Sequence, residues 1–210
     1  NIYDKQLRKR RQKIACITYT EIAAKEIWAD VDNNPLVHIS TIHSFLWLLV
    51  KPFQSDIRSW VKLRINQMED EIKNRQCKYS KRTKPETRKK DDLDLLKLHQ
   101  DKIESSSIKS FRYGTGRDYA RGVLGHDDIL KLGVHLIKER QLFRILISKQ
   151  FPFIFIDESQ DTTPDVIEAL KAIQEEPEAT ICLGFFGDPM QKIYPGGIGE
   201  IELGRNWLEI

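Results

Sequence analysis

Two acidic side chains, Asp157 and Glu158, follow directly on the apolar run Phe153, Ile154, Phe155, Ile156 in the segment FPFIFIDESQDT. Adjacent carboxylates at the end of a rigid strand suit divalent-metal and phosphate chemistry: one can hold the ion, directly or through its waters, while the other takes a proton from water. The same pair also occurs in acidic turns that do no chemistry. A second apolar, β-prone run, residues 180–186, ends in another polar loop, Gly187-Asp188-Pro189-Met190-Gln191-Lys192-Ile193-Tyr194.

The elements that must position these groups can be read around them. Phe153 to Ile156 is too short for a buried helix and rich in β-formers, so it predicts a central strand covered on both faces. Asp157 and Glu158 then emerge at its carboxyl end, where open parallel sheets place their ligands. Asp161 to Pro164 lead into VIEALKAI, with Thr162 or Thr163 as helix cap and Pro164 in the first turn. Two strands separated by one helix describe a βαβ crossover, with both polar loops on the same edge.

DESQDT followed by GDPMQKIY resembles motifs II and III of the UvrD/Rep-like branch of superfamily 1 helicases, whose usual forms are DExQDT and GDxxQxIY. Upstream, TYTEIAAKEI after the short strand Ile14 to Thr18 resembles motif Ia, TFTNKAAREM. ISTIHSF resembles motif Ib, TxHSF, and HDDIL is similar to the family's DxDDLL segment. The resemblance implies an α/β fold: a RecA-like parallel sheet of the P-loop NTPase type with an inserted, mainly α-helical subdomain. It further implies an ATP-dependent DNA helicase that moves on single-stranded DNA and unwinds duplex DNA.

Residue roles follow from the same resemblance. Asp157 would hold Mg2+ and Glu158 would orient and deprotonate the attacking water. Gln191 would sense the γ-phosphate of ATP, with Asp188 on the same nucleotide-binding loop. Thr18 and Thr20 would contact the phosphodiester backbone and Tyr19 would pack on a base, which any base's π-face permits. Thr41 and His43 would lie on the single-strand track, and Tyr194 would touch DNA. Taken alone, Tyr19 also admits a reading as a strand-end core aromatic, and a lone His such as His43 is more often a hydrogen-bonded structural residue than a ligand contact. Glu21 stands where the family has Asn; a carboxylate there would repel phosphate, so no DNA contact is carried onto it. Pro195-Gly196-Gly197 replaces the family's Trp after the Tyr, and Trp207 is expected to be buried.

Composition agrees with a polyanion partner. The formal net charge is only +3, but residues 51–125 carry 19 Lys and Arg against 11 Asp and Glu, and residues 1–13 carry six basic residues against one acidic. The acid is thus left around Asp157, a segregation that suits nucleic acid. Cys16, Cys77 and Cys182 show no paired spacing. With Cys16 and Cys182 inside apolar strand runs, they read as core residues of a reducing compartment, with no zinc site. The absence of any long apolar stretch or signal pattern points to a soluble, cytoplasmic protein without membrane contact; protein partners are unspecified.

The expected domains are 1–45, the first part of the RecA-like domain; 46–125, the helical insertion; and 126–210, the remainder. In the insertion, SDIRSWVKLRINQMEDEIKNR and DDLDLLKLHQDKI show helical three-four spacing. CKYSKRTKPETRKK reads as a mobile, proline-broken loop between them, and residues 108–124 as a β-hairpin turning at Gly114-Thr115-Gly116. Residues 127–150 predict one helix returning the chain to the sheet.

No Gly-x-x-x-x-Gly-Lys-Ser/Thr occurs in the sequence. The expectation is therefore a segment that starts after the phosphate loop and stops before a second RecA-like domain, inactive alone but part of an ATPase. Two alternatives stand beside it: a non-hydrolysing nucleic-acid-binding or regulatory protein, and a metal-dependent nuclease using Asp157, Glu158, Asp161 and Asp188.

Overall fold

The computed structural model describes residues 2–74, 85–105, 108–188, 190, 197–198, 201 and 207–208. Along the chain run α1 (Ile2–Arg10), β1 (Ile14–Thr18), α2 (Glu21–Asp30), β2 (Val37–Thr41), α3 (Ile42–Val50), α4 (Gln54–Asn74) and α5 (Pro85–Glu104). They are followed by β3 (Arg112–Tyr113), β4 (Val123–Leu124), α6 (His126–Glu139), α7 (Gln141–Gln150), β5 (Phe153–Ile156), α8 (Pro164–Gln174) and β6 (Cys182–Phe185). Two compact units result: Asn1–Leu46 with Gly133–Ile210, and Trp47–Leu132.

The first unit is built on a four-stranded sheet in the order β2-β1-β5-β6, and every pairing is parallel. The expected α/β parallel sheet is therefore present. Parallel neighbours need crossovers, and α2 and α8 supply two of them. Period-two alternation puts Ala15 and Ile17 of β1, Ile154 and Ile156 of β5 and Leu183 of β6 on one buried face. The apolar stripe of α8, Val166, Ile167, Ala169, Leu170 and Ile173, is buried too, as α8 packs against both β6 and α7. Phe45 and Phe151 meet edge to face at 5.3 Å, with His38 tilted against both.

The opposite face departs from expectation. Cys16, Phe155 and Gly184 align across it, yet Cys16 and Phe155 are half-buried and Cys182 is exposed. The run FIFI is thus fully covered on one side only, and Cys182 is an edge-strand residue rather than a core one. Cys77 lies outside the described residues. Trp207 is half-buried, stacked on Phe185 at 5.3 Å between centroids.

The second unit is mainly helical. In α4, Ile57, Trp60, Val61, Ile65 and Ile72 are buried, facing Leu96, His99 and Ile103 of α5. Arg58 ties the end of α5 to the next segment: its guanidinium donates to the carbonyls of Ile103 and Ile108 and lies over the Phe111 ring at 5.5 Å. Asp128, completely buried, is the polar centre. It accepts from Arg117 Nε at 3.0 Å and Nη2 at 2.9 Å, from the Tyr119 hydroxyl at 2.8 Å and from the Gly125 N–H at 3.0 Å. Burial, with the Asp128 carboxylate beside it, pushes the Tyr119 phenol well above its ordinary value.

Three local expectations are corrected. Residues 108–124 are not a hairpin, because β3 and β4 pair in parallel. Between them Asp118 caps a single 3₁₀ turn at Tyr119–Arg121, and Gly122, at φ 69°, sends the chain back in its original direction. The proline-broken loop is shorter than expected, since Pro85 opens α5; proline is favoured in a first helical turn, where its missing N–H has no partner to lose. Residues 127–150 form two helices, because Arg140 takes an extended conformation (φ −119°, ψ 101°) between α6 and α7.

Candidate functional site

A parallel sheet delivers all its strand ends to one side, and the register makes those ends level. Thr18 lies opposite Thr41, Ile17 opposite Ile156, and Ile156 opposite Phe185. Hydrogen bonding continues past the strands: the Asp157 N–H donates to the Ile17 carbonyl at 2.7 Å, the Phe186 N–H to Ile156 at 2.8 Å and the Ser159 N–H to Phe186 at 2.9 Å. Thr18, Thr41, Asp157 and the Gly187-Asp188 pair therefore share a single edge. Gln191 and Tyr194 lie outside the described residues.

The two carboxylates at the centre are held differently. Asp157 is half-buried; burial first, and then its negative charge, push the neighbouring Cys16 thiol up. Glu158 is exposed and sits in the left-handed region, φ 53° and ψ 40°, a conformation costing a residue with a Cβ about 1–2 kcal/mol. It ends the extended backbone of the strand just after Ile156 and Asp157. Glu158 Oε2 accepts a hydrogen bond from Gln160 Nε2 at 2.6 Å. Sequence reasoning gave Gln160 no role, although its fixed place in the DExQDT pattern was a signal. The residue is buried, and its Oε1 has no partner among the described residues.

The strand-contact candidates divide in the same way. Thr18 is buried with an unpartnered hydroxyl among the described residues. Thr20 is exposed and caps α2, its Oγ1 accepting from the Ala23 N–H at 3.2 Å; its own hydrogen stays free of that bond. Thr41 is buried, donating to Ser44 Oγ at 3.1 Å and accepting from the Ser44 N–H, so its hydroxyl serves the first turn of α3. Tyr19 and His43 are half-buried at the beginnings of the segments after β1 and β2. Asp188 is exposed, with Oδ1 accepting from the Met190 N–H at 2.9 Å.

Among the described residues no three His, Cys, Asp or Glu side chains group as a metal site, so the four-carboxylate nuclease set is not assembled. One half-buried carboxylate does fit Mg2+, which keeps several waters and takes further ligands from substrate phosphates. No helix among the described residues is long and apolar enough to cross a membrane.

The family model described as the UvrD/REP helicase N-terminal domain matches residues 4–197. The Gabija protein GajB of Bacillus cereus (strain HuB5-5) is 26% identical over 94% of this chain and 38% of its own length. RecBCD enzyme subunit RecB of Buchnera aphidicola subsp. Acyrthosiphon pisum (strain APS) is 32% identical over 48% of this chain and 7% of its own. RecB of Mycolicibacterium smegmatis is 35% identical over 50% of this chain and 9% of its own. The chain thus spans well under half of these relatives.

Proposed function

Because the chain belongs to the UvrD/REP helicase N-terminal domain family, we propose that the carboxyl edge of its sheet is the ATP-hydrolysing and strand-gripping edge of an ATP-dependent DNA helicase. One observation carries the reading: Asp157 and Glu158 stand at the end of a central strand, with Thr18 and Thr41 level on one side and Gly187-Asp188 on the other.

Asp157, rigid at the strand end, holds Mg2+; the ion, when bound, neutralises charge on the phosphate oxygens. Glu158, exposed, orients the attacking water and takes its proton as the water oxygen bonds to the γ-phosphorus and the bond to ADP breaks. Asp188 and Gln191 complete the nucleotide loop. Tyr19 offers a stacking face, and Thr20, His43 and Tyr194 line the single-strand track, with exposed Thr20 best placed to donate to phosphate, while buried Thr18 and Thr41 support the strand ends that carry it. The mainly helical unit corresponds to the inserted 1B subdomain, and its excess of Lys and Arg suits duplex DNA.

The test is Glu158→Gln in the full-length protein. Loss of DNA-stimulated ATP hydrolysis on the order of a hundredfold or more, with nucleotide binding retained, is expected for a general base. Unchanged turnover removes Glu158 from that role.

A further inference from the structure

The turn after β5 holds a buried amide that the roles above leave unused. Gln160 is 2% exposed, yet among the described residues only one end of its amide is engaged. Nε2 donates to Glu158 Oε2 at 2.6 Å, while Oε1 has no partner among the described residues. An unpaired buried acceptor costs stability, and an apolar side chain of similar size avoids that cost. Such a defect persists where a site needs it. Flipping the amide does not relieve it, since two oxygens would then oppose each other across 2.6 Å. Glu158 alone therefore fixes which way the amide points.

Room for the amide depends on a glycine. A Cβ on Gly187 would overlap Gln160 Oε1 and stand 3.0 Å from Ser159 Oγ and 3.1 Å from the Ser159 nitrogen. The preceding residue, Phe186, accepts the Ser159 N–H at 2.9 Å. The loop after β6 is thus locked against the turn that carries Glu158, with the amide packed between them.

We propose that Gln160 is the positioning residue for Glu158 and that Gly187 keeps the space in which it works; the proposal rests on Glu158 being the base. An exposed glutamate samples many rotamers, and one fixed N–H removes much of that freedom. With Oε2 held, Oε1 of Glu158 remains to take a proton from water. Gln160 itself touches no reacting atom.

The experiment uses the full-length protein and measures kcat and KM for ATP together with Tm. Gln160→Leu lowers kcat on the order of tenfold with KM within about twofold, because one hydrogen bond to a charged group is lost from an otherwise intact site. Its Tm stays level or rises, since the unpaired acceptor has gone. Gly187→Ala displaces the amide and lowers kcat similarly. The double variant is no worse than either single, because both break the same contact. An unchanged kcat in Gln160→Leu, a fall of several degrees in its Tm, or losses that multiply in the double variant each overturn the proposal. Glu158→Gln run alongside separates the two readings: turnover retained there removes the base itself, whereas turnover lost there with Gln160→Leu silent removes only the positioning role.

Discussion

Replacing Asp128 by Ala removes the acceptor on which four donors of the helical unit converge. The loss can be worked from the partners left behind. Tyr119 is fully buried, so its hydroxyl has no water to turn to and its orphaning costs about 1–3 kcal/mol. The Arg117 side chain is 31% exposed, so water recovers part of its interaction. Breaking a buried ion pair by deleting one partner costs about 3–5 kcal/mol; with Arg117 partly wet, the lower end of that range, about 3 kcal/mol, is expected. For a domain of this size that is a drop in Tm on the order of 10 °C. Asp128→Asn keeps the shape and one acceptor but loses the doubly bonded guanidinium, and Tyr119→Phe removes a single donor. The expected order of destabilisation is therefore Asp128→Ala, then Asp128→Asn, then Tyr119→Phe. Urea titration followed by circular dichroism, with amide exchange in α4 and α5 to locate the effect, measures it. An Asp128→Ala variant within about 1 kcal/mol of the parent, or the reverse order, would falsify the view that this carboxylate organises the unit.

Thr20→Ala removes the acceptor for the Ala23 N–H at the start of α2 and is expected to cost about 1 kcal/mol in urea unfolding; a change near zero would show that water caps the helix equally well. Acid should weaken the fold near neutrality. His38 is held below the ordinary 6.5 by burial and then by Lys13. His99 is held below it by burial, against the opposing pull of Asp118. The unfolded chain therefore binds protons that the folded chain refuses, so stability is level above about pH 7 and falls as pH drops through 6.5. Urea midpoints at pH 7.5 and 5.5 measure the slope, and replacing both histidines with Gln should flatten it. An equally steep slope in that variant would assign the effect to other groups.

The sheet was legible because its strands are short apolar runs that each end in polar residues, a pattern that needs no partner to recognise. The βαβ logic then put Asp157 and Asp188 on one edge, and the register of β5 and β6 places them there. What escaped was long-range. Residues 108–124 carry glycines suited to a hairpin turn, but the Asp118 cap and left-handed Gly122 reverse the chain twice and leave a parallel pair. Coverage of a strand's second face was also beyond reach, since FIFI reads the same whether Phe155 is enclosed or half open. Gln160 was hidden for a related reason. Its importance lies in one bond to Glu158 and in the missing Cβ of Gly187, 27 positions along the chain, and neither is written in local residue types.

The left-handed turn at Glu158 makes the order of the two acids matter. Asp157 is seated half-buried at the strand end, while Glu158, one residue on, stands exposed in the turn. Exchanging the pair would preserve composition and charge. It would nevertheless crowd the seat with an extra methylene and shorten the reach by the same amount, so an isomeric protein of identical mass would lose both halves of the arrangement.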